Sequence, residues 1–204
     1  MSSTANSPYK GSGQITREQF LFYEMRTTAK LMNEGLDDEE VIDRIVSDNL
    51  FQYPTEKSVR QIALGCIKRI KAMDDDYLVE ALALSSSSIA RQVCLYAMMR
   101  GNRLVRDFMV TVIGEKYRTR DFSFRVSDVT FFLMRLQEQD ELVAGWSEAT
   151  IAKIRSVLIR VLIDTEYIDD KKSDHINAML IEPLVEEAIR RAGEDRILTV
   201  YNCF

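Results

Sequence analysis

Apolar residues recur at intervals of three and four along most of the chain, which predicts helices over nearly its whole length. Phe20, Leu21, Tyr23, Met25, Ala29, Leu31 and Met32 follow Thr16, whose hydroxyl forms a capping box with Gln19, and Gly35 is the expected stop. Val41, Ile42, Ile45 and Val46 stripe a second, shorter helix with Asp37 as cap, Glu40 as its partner and Leu36 as staple. Residues 49–54 then break the pattern, because Pro54 disfavours helical geometry at Tyr53, and Thr55 caps a third helix to about Met73. Val59, Ile62, Ala63, Cys66, Ile67 and Ile70 lie on one face of that helix, with Lys57, Arg60, Lys68, Arg69 and Lys71 largely elsewhere. Two helices joined this way have the outline of a helix-turn-helix.

The same grammar continues. Asp74 to Asp76 cap a short helix to Leu84, and Ser85 to Ser88 cap Ile89 to Met99. After Gly101 and Asn102 a further helix runs from Arg103 to Gly114. The alternating segment Phe122 to Val126 is expected to be extended, before Ser127 or Asp128 caps a helix to Gln139. Residues 140–146 read as a connector, and Ser147 caps a helix from Glu148 to Asp164, so the helix-turn-helix outline recurs. The charged cluster within Tyr167 to Leu180 fits a two-stranded wing, Pro183 opens a last helix to Arg191, and Ile197 to Tyr201 fits a short closing strand. The fold expected is mainly α, with two helix-turn-helix or winged-helix-like parts and a small β wing near the C-terminus.

Composition agrees. Hydrophobic content of 46% with only 8 Gly and 3 Pro among 204 residues supports one or two helical cores and excludes a disordered chain. Residues 1–14, rich in Ser, Gly, Asn and Thr, read as a flexible tail and not as a signal peptide. The division expected is that tail, an N-terminal helical subdomain over 15–84, a central basic segment over 85–125, and a winged-helix-like subdomain over 126–204. Runs such as Val157 to Ile163 are broken by charges like Arg160 and fall short of the roughly 20 apolar residues a membrane span needs. Cys66, Cys94 and Cys203 are odd in number and far apart, which suits packed thiols in a reducing, cytoplasmic compartment.

Catalytic chemistry finds no foothold. His175 is the sole histidine, no C-x-x-C spacing occurs, and neither a G-x-S-x-G elbow nor a phosphate-cradling glycine loop is present. The acidic clusters Asp37 to Glu40, Asp74 to Asp76 and Asp169 with Asp170 sit at helix starts or turns, where carboxylates serve as caps. No enzyme activity, metal, cofactor or small-molecule substrate is expected.

Charge alters the picture more. The net value is −5, yet Arg91, Arg100, Arg103, Arg106, Lys116, Arg118, Arg120 and Arg125 face only Asp107, Glu115 and Asp121 within their window. Eight basic against three acidic residues leave +5 there and −10 elsewhere. Seven of the eight are arginines, which suits bidentate phosphate contact, although the same charges also suit a solvated face paired with the acidic remainder.

The stretch ITREQFLFYEMRTTAKLMNEGLDDEEVIDRIVSDNLFQYPTEKSVRQIALGCIKRI, from Ile15 to Ile70, carries a G-L-x-D-E-E turn and an N-L-F-Q-Y-P-T-E connector, and SSSIARQVCLYAMMR and RLVRDFMVTVI follow. With these runs the chain resembles the BrxA family, small components of BREX bacteriophage-exclusion systems. The resemblance covers residues from Ile15 to about Ile189. It implies partial similarity to the RNA-binding antitermination protein NusB, winged-helix-like parts, and double-stranded DNA binding without enzymatic activity. The family pattern falls on Gln52, Tyr53, Pro54, Thr55 and Glu56 and on Arg91, Arg100, Arg103, Arg106 and Asp107, of which Asp107 is expected to orient arginines. Charge and predicted helix position give the nucleic-acid-binding candidates as Arg91, Arg100, Arg103, Arg106, Lys116, Arg118 and Arg120, with Lys57, Arg60, Lys153 and Arg155 on the two candidate recognition helices. The partners expected are double-stranded DNA and other BREX proteins. A protein-binding scaffold without direct DNA contact, or an RNA binder of NusB type, are the rival expectations.

Overall fold

A computed structural model describes residues 6–204, and among these residues it contains eleven α-helices and no β-strand. None of the helices is long and apolar enough to cross a membrane. The chain forms two compact units, neither of them continuous in sequence. The expected boundaries at 84/85 and 125/126 each fall inside a unit.

One unit comprises Phe20–Gly101 with Glu182–Ala188. It holds α1 (Phe22–Asn33), α2 (Asp38–Ser47), α3 (Glu56–Lys71), α4 (Asp76–Leu84), α5 (Ser87–Gly101) and the first part of α11 (Pro183–Arg191). The expected caps are in place. The Asp37 carboxylate accepts from Glu40 N–H and the Glu40 carboxylate from Asp37 N–H, both at 2.9 Å. Thr55 Oγ1 accepts from Ser58 N–H at 3.2 Å, and Asp75 accepts from Tyr77 N–H at 3.0 Å. Val41, Ile42, Ile45, Phe51, Val59, Ala63 and Ile67 form a core on which Leu31 and Met32 of α1 pack. Helix α5 is apolar around its circumference, and Gln92 through Met99 are all buried, so it runs through the interior. Its one buried amide, Gln92, accepts from Glu182 N–H at 2.9 Å.

The other unit comprises the segment up to Gln19, Asn102–Ile181 and Ile189–Phe204. Its central helix is continuous but changes pitch: α6 (Arg103–Phe108) passes through a π-helical stretch, Met109–Gly114, into α7 (Glu115–Arg118). Around it lie α8 (Val126–Gln139), α9 (Glu141–Ala144), α10 (Glu148–Asp164) and a terminal 3₁₀ helix, Asp195–Tyr201. Phe108 and Phe132 meet edge to face with ring centroids 5.3 Å apart, and the buried Tyr167 donates to Val200 O at 3.0 Å.

Several expectations are corrected. The first helix starts at Phe22 and not after Thr16, because Ser12–Thr16 is a 3₁₀ turn and Leu21 takes a left-handed conformation at φ 55°. The tail expected over 1–14 has residues 1–5 outside the described residues, while Ser7 to Gln14 are tied down: Tyr9 and Ser12 are buried, Ser7 donates to Asp140 at 2.8 Å, and Asn102 Nδ2 donates to Ser12 O at 3.1 Å. No wing forms. The charged cluster closes on itself as Ser173 Oγ accepts from Asp169 and Asp170 N–H, and the next residues pair with a distant segment, Phe124 N–H to Asp174 O and Ile176 N–H to Phe122 O, in a single antiparallel bridge. The closing strand is the 3₁₀ helix Asp195–Tyr201, and the connector over 140–146 contains α9, capped by Asp140. With neither wing nor strand, the winged-helix expectation is not met.

Candidate nucleic-acid interface

The basic window is split between the units, and internal partners take up most of it. In the unit containing α5, the Arg91 guanidinium lies 5.4 Å from the centre of the Phe22 ring. Arg100 donates to Met73 O at 3.4 Å and to the Tyr96 hydroxyl at 3.2 Å. On α3, Arg60 reaches Asp43 at 3.4 Å, while Lys57, in the first turn, is exposed and has no partner among the described residues.

The unit containing α6 holds the rest. Arg103 and Asp107 are one helical turn apart and pair at 2.8 Å, and Asp107 also accepts from the Tyr9 hydroxyl at 2.9 Å. Burial, and then donation to Asp107, push that hydroxyl up to about 12. Arg106 and Glu194 pair at 2.9 Å with 31% and 15% of their side chains exposed, so this contact is structural. Lys116, 14% exposed, bridges Asp121 at 2.9 Å and Asp128 at 3.4 Å. The Asp121 carboxylate, accepting from the Ser123 hydroxyl and from Lys116, is held down at about 2. Arg118 is clasped by Glu115, whose carboxyl its hydrogen bonds draw below the ordinary range. Asp107, Glu115 and Asp121, the three carboxylates of the window, are therefore each spent on a cation of the same window.

Arg120, Lys153 and Arg155 differ. Arg120 and Lys153 are exposed, Arg155 is half-buried, and none has an internal carboxylate partner among the described residues. Arg120 follows α7 in a left-handed conformation at φ 56°, and Lys153 and Arg155 stand on α10, which Ser147 caps by accepting from Thr150 N–H at 3.2 Å. Fully exposed pairs such as Arg118–Glu115 are screened by water and contribute little, so phosphate can displace that carboxylate at small cost. The half-buried Arg106–Glu194 pair cannot be exchanged so cheaply. Sequence reading missed Phe122, Asn202 and Phe204, which line an open groove beside Arg118 and Arg120. The alternation from Phe122 to Phe124 was the available signal, since Phe124 is buried and Phe122 is not.

Formal charge divides with the fold. The unit containing α6 carries 17 basic and 16 acidic side chains, the other 10 basic and 16 acidic. His175, exposed, lies 3.2 Å from Asp174, and no group of three metal-ligating side chains occurs among the described residues.

The family model of BrxA matches residues 8–193 of the chain. A BREX protein BrxA from Bacillus cereus is 32% identical over 181 residues, 88% of this chain and 90% of that protein. BREX proteins BrxA from Escherichia coli and Paramagnetospirillum magneticum are 20% and 22% identical, covering 92% and 86% of this chain and 88% and 87% of those proteins. The crystal structure of an uncharacterized protein from Magnetospirillum magneticum superposes with a TM-score of 0.77 over 93% of this chain and 97% of that one at 20% identity, so the two share a fold. With a family model spanning both units and a relative above 30% identity over most of its length, the chain belongs to the BrxA family.

Proposed function

We propose that this protein is a non-enzymatic double-stranded DNA-binding component of a BREX phage-defence system, each unit making its own phosphate contacts, one from α3 and the other from α10, the second helices of two helix-turn-helix-like pairs. One observation carries the reading: of the basic positions singled out by charge and helix placement, Lys57, Arg120, Lys153 and Arg155 have no carboxylate or aromatic partner among the described residues. Cations without a partner keep their full attraction for a polyanion, whereas paired ones must first release a carboxylate. Four phosphate contacts release about four counterions, which lowers duplex affinity about a hundredfold between about 50 and about 200 mM salt. Fluorescence anisotropy with labelled duplex DNA tests this. Charge reversal of Lys57, Arg120, Lys153 and Arg155 is expected to flatten the salt dependence, and Arg106→Gln to leave it unchanged. Undiminished duplex binding after the four reversals sinks the assignment.

A second reading, a scaffold for other BREX components, is favoured by one feature of the acidic unit. Tyr77, Leu84 and Leu64 are 71%, 62% and 52% exposed there, which leaves large apolar side chains available to a protein partner. Co-purification of BREX components with the charge-reversed chain supports this reading. Duplex RNA in the same assay tests the NusB-type alternative.

A further inference from the structure

Two chain turns border the groove beside Arg120. At the end of α7, Arg120 N–H bonds Tyr117 O at 3.0 Å and Asp121 N–H bonds Lys116 O at 2.9 Å. At the end of the terminal 3₁₀ helix, Asn202 N–H bonds Thr199 O and Cys203 N–H bonds Leu198 O, both at 3.1 Å. Each closure places its first residue in the left-handed region, where glycine is usual, yet the residues are Arg120 and Asn202, both at φ 56°. A glycine at either position would present no side chain to the groove. Each closure also occupies two carbonyls at its helix end, which lessens their repulsion of an anion.

Tyr117, Arg118, Arg120, Phe122, Asn202 and Phe204 line this groove, whose volume is about 670 Å³. The buried Tyr117 ring is its floor, fixed by donation of the hydroxyl to Asn177 O at 2.6 Å. Phe122 lies 5.9 Å from that ring, 39% exposed, and Phe204 is 69% exposed. Backbone pairing with residues 174–176 turns Phe124 inward and Phe122 outward. Flat apolar faces, the Arg120 guanidinium, which has no carboxylate partner among the described residues, and a side-chain amide therefore share one open cleft. An apolar peptide side chain would leave Arg120 without a counter-charge beside it, whereas a nucleotide offers a ring to stack, an edge for an amide and a phosphate for a guanidinium.

The geometry points to a stacking site for one unpaired nucleobase of a DNA strand, taken up on the exposed faces of Phe122 and Phe204, with its phosphate on Arg120 and its edge on the Asn202 amide. An interior paired base cannot enter, since both of its faces are already stacked, and a terminal pair is held by its partner and offers one face only. The inference rests on the proposal that the protein takes up DNA, and adds a preference for strand ends or distorted sites over an intact duplex.

The test compares the full chain on three labelled ligands: a blunt duplex, the same duplex with a single-stranded thymidine overhang, and oligothymidylate alone. The overhang is expected to tighten binding about tenfold. Phe204→Ala, at an exposed position, is expected to abolish that gain and leave blunt-duplex affinity unchanged. Phe204→Trp, in a Trp146→Phe background, is expected to report quenching by oligothymidylate and none by blunt duplex. An overhang that binds no tighter than the blunt end, or a gain that survives in Phe204→Ala, overturns the stacking site while the duplex reading stands. Failure of all three ligands to bind removes the duplex reading and the stacking site together.

Discussion

Gly114 allows a sharp test of how the unit containing α6 is assembled. It closes the π-helical stretch, and a Cβ built on it would lie 2.4 Å from Thr199 Oγ1, 3.1 Å from Thr199 Cβ and 3.3 Å from the Thr199 carbonyl carbon. The first distance is about 1 Å short of ordinary contact. Rotating Thr199 gives little relief, because its hydroxyl donates to Arg196 O at 2.9 Å and its Cβ and backbone are close as well. Gly114→Ala must therefore push the terminal 3₁₀ helix away, at an overpacking cost of about 1–3 kcal/mol. Replacing a helical glycine by alanine returns about 1 kcal/mol of backbone entropy. The net loss is about 1 kcal/mol, and the urea midpoint of unfolding, followed by far-UV circular dichroism, should fall by about 0.5 M. Thr199→Ala removes the shortest contact, so in the Gly114→Ala background it should restore most of the loss. A double-mutant cycle in which the two substitutions are additive within about 0.5 kcal/mol refutes the steric account. Because Asn202 and Phe204 follow this helix directly, Gly114→Ala alone should also erase the overhang preference.

Two further outcomes follow from the hydrogen bonding. Asp37→Ala removes the carboxylate half of the reciprocal cap on α2, leaving the residue-37 N–H to donate to Glu40, and should cost about 1 kcal/mol in urea unfolding without changing duplex affinity; unchanged stability would show that the acidic run Asp37 to Glu40 serves something other than the helix start. The Tyr9 hydroxyl titrates at about 12 in the folded chain and near 10 when unfolded, so its contribution to stability is whole below pH 10 and is lost as pH rises through 12. Tyr9→Phe should cost about 1 kcal/mol at neutral pH and remove one late-titrating tyrosine from near-UV spectrophotometric titration, and an unaltered titration curve counts against the Asp107 contact.

The elements legible in the sequence were those set by neighbours in the chain. Asp37 with Glu40, Thr55 and Ser147 cap the helices that their spacing implies, and α2, α3, α4, α5 and α10 lie close to where apolar periodicity places them. Elements set by distant partners were not legible. The run Ile197 to Tyr201 has the β-branched composition of a strand, but no partner strand exists among the described residues, and it coils into a 3₁₀ helix that buries Ile197, Val200 and Tyr201. The turn signal at Asp169 to Asp174 was sound, yet the segment that pairs after it lies some fifty residues earlier, at Phe122 to Phe124. Ser7 to Gln14 has a tail's composition and owes its order to Asp140, Asp107 and Asn102, far along the chain.

The basic window shows the same division between local and distant causes. Arg103 with Asp107 and Arg118 with Glu115 stand three or four residues apart, so those pairings follow from helical spacing alone. Arg106 with Glu194 and Lys116 with Asp128 join residues that only the fold brings together. A local excess of +5 in sequence therefore overstates what is available to phosphate, because each carboxylate folded against the window cancels one cation where it stands. The cations left without partners among the described residues include Lys57 and Lys153, which lie outside that window on the two candidate recognition helices. A grip of about four phosphates is weak at physiological salt, in the range of non-specific binding. On that reading, residence on DNA depends on assembly with other BREX components. Linking such a weak contact to a second one raises overall avidity by about 10² to 10⁴ without any new interaction. The apolar side chains exposed on the acidic unit and the unpaired cations of the chain then act as two halves of one attachment, and removing either half should weaken recruitment by far more than its own contacts are worth.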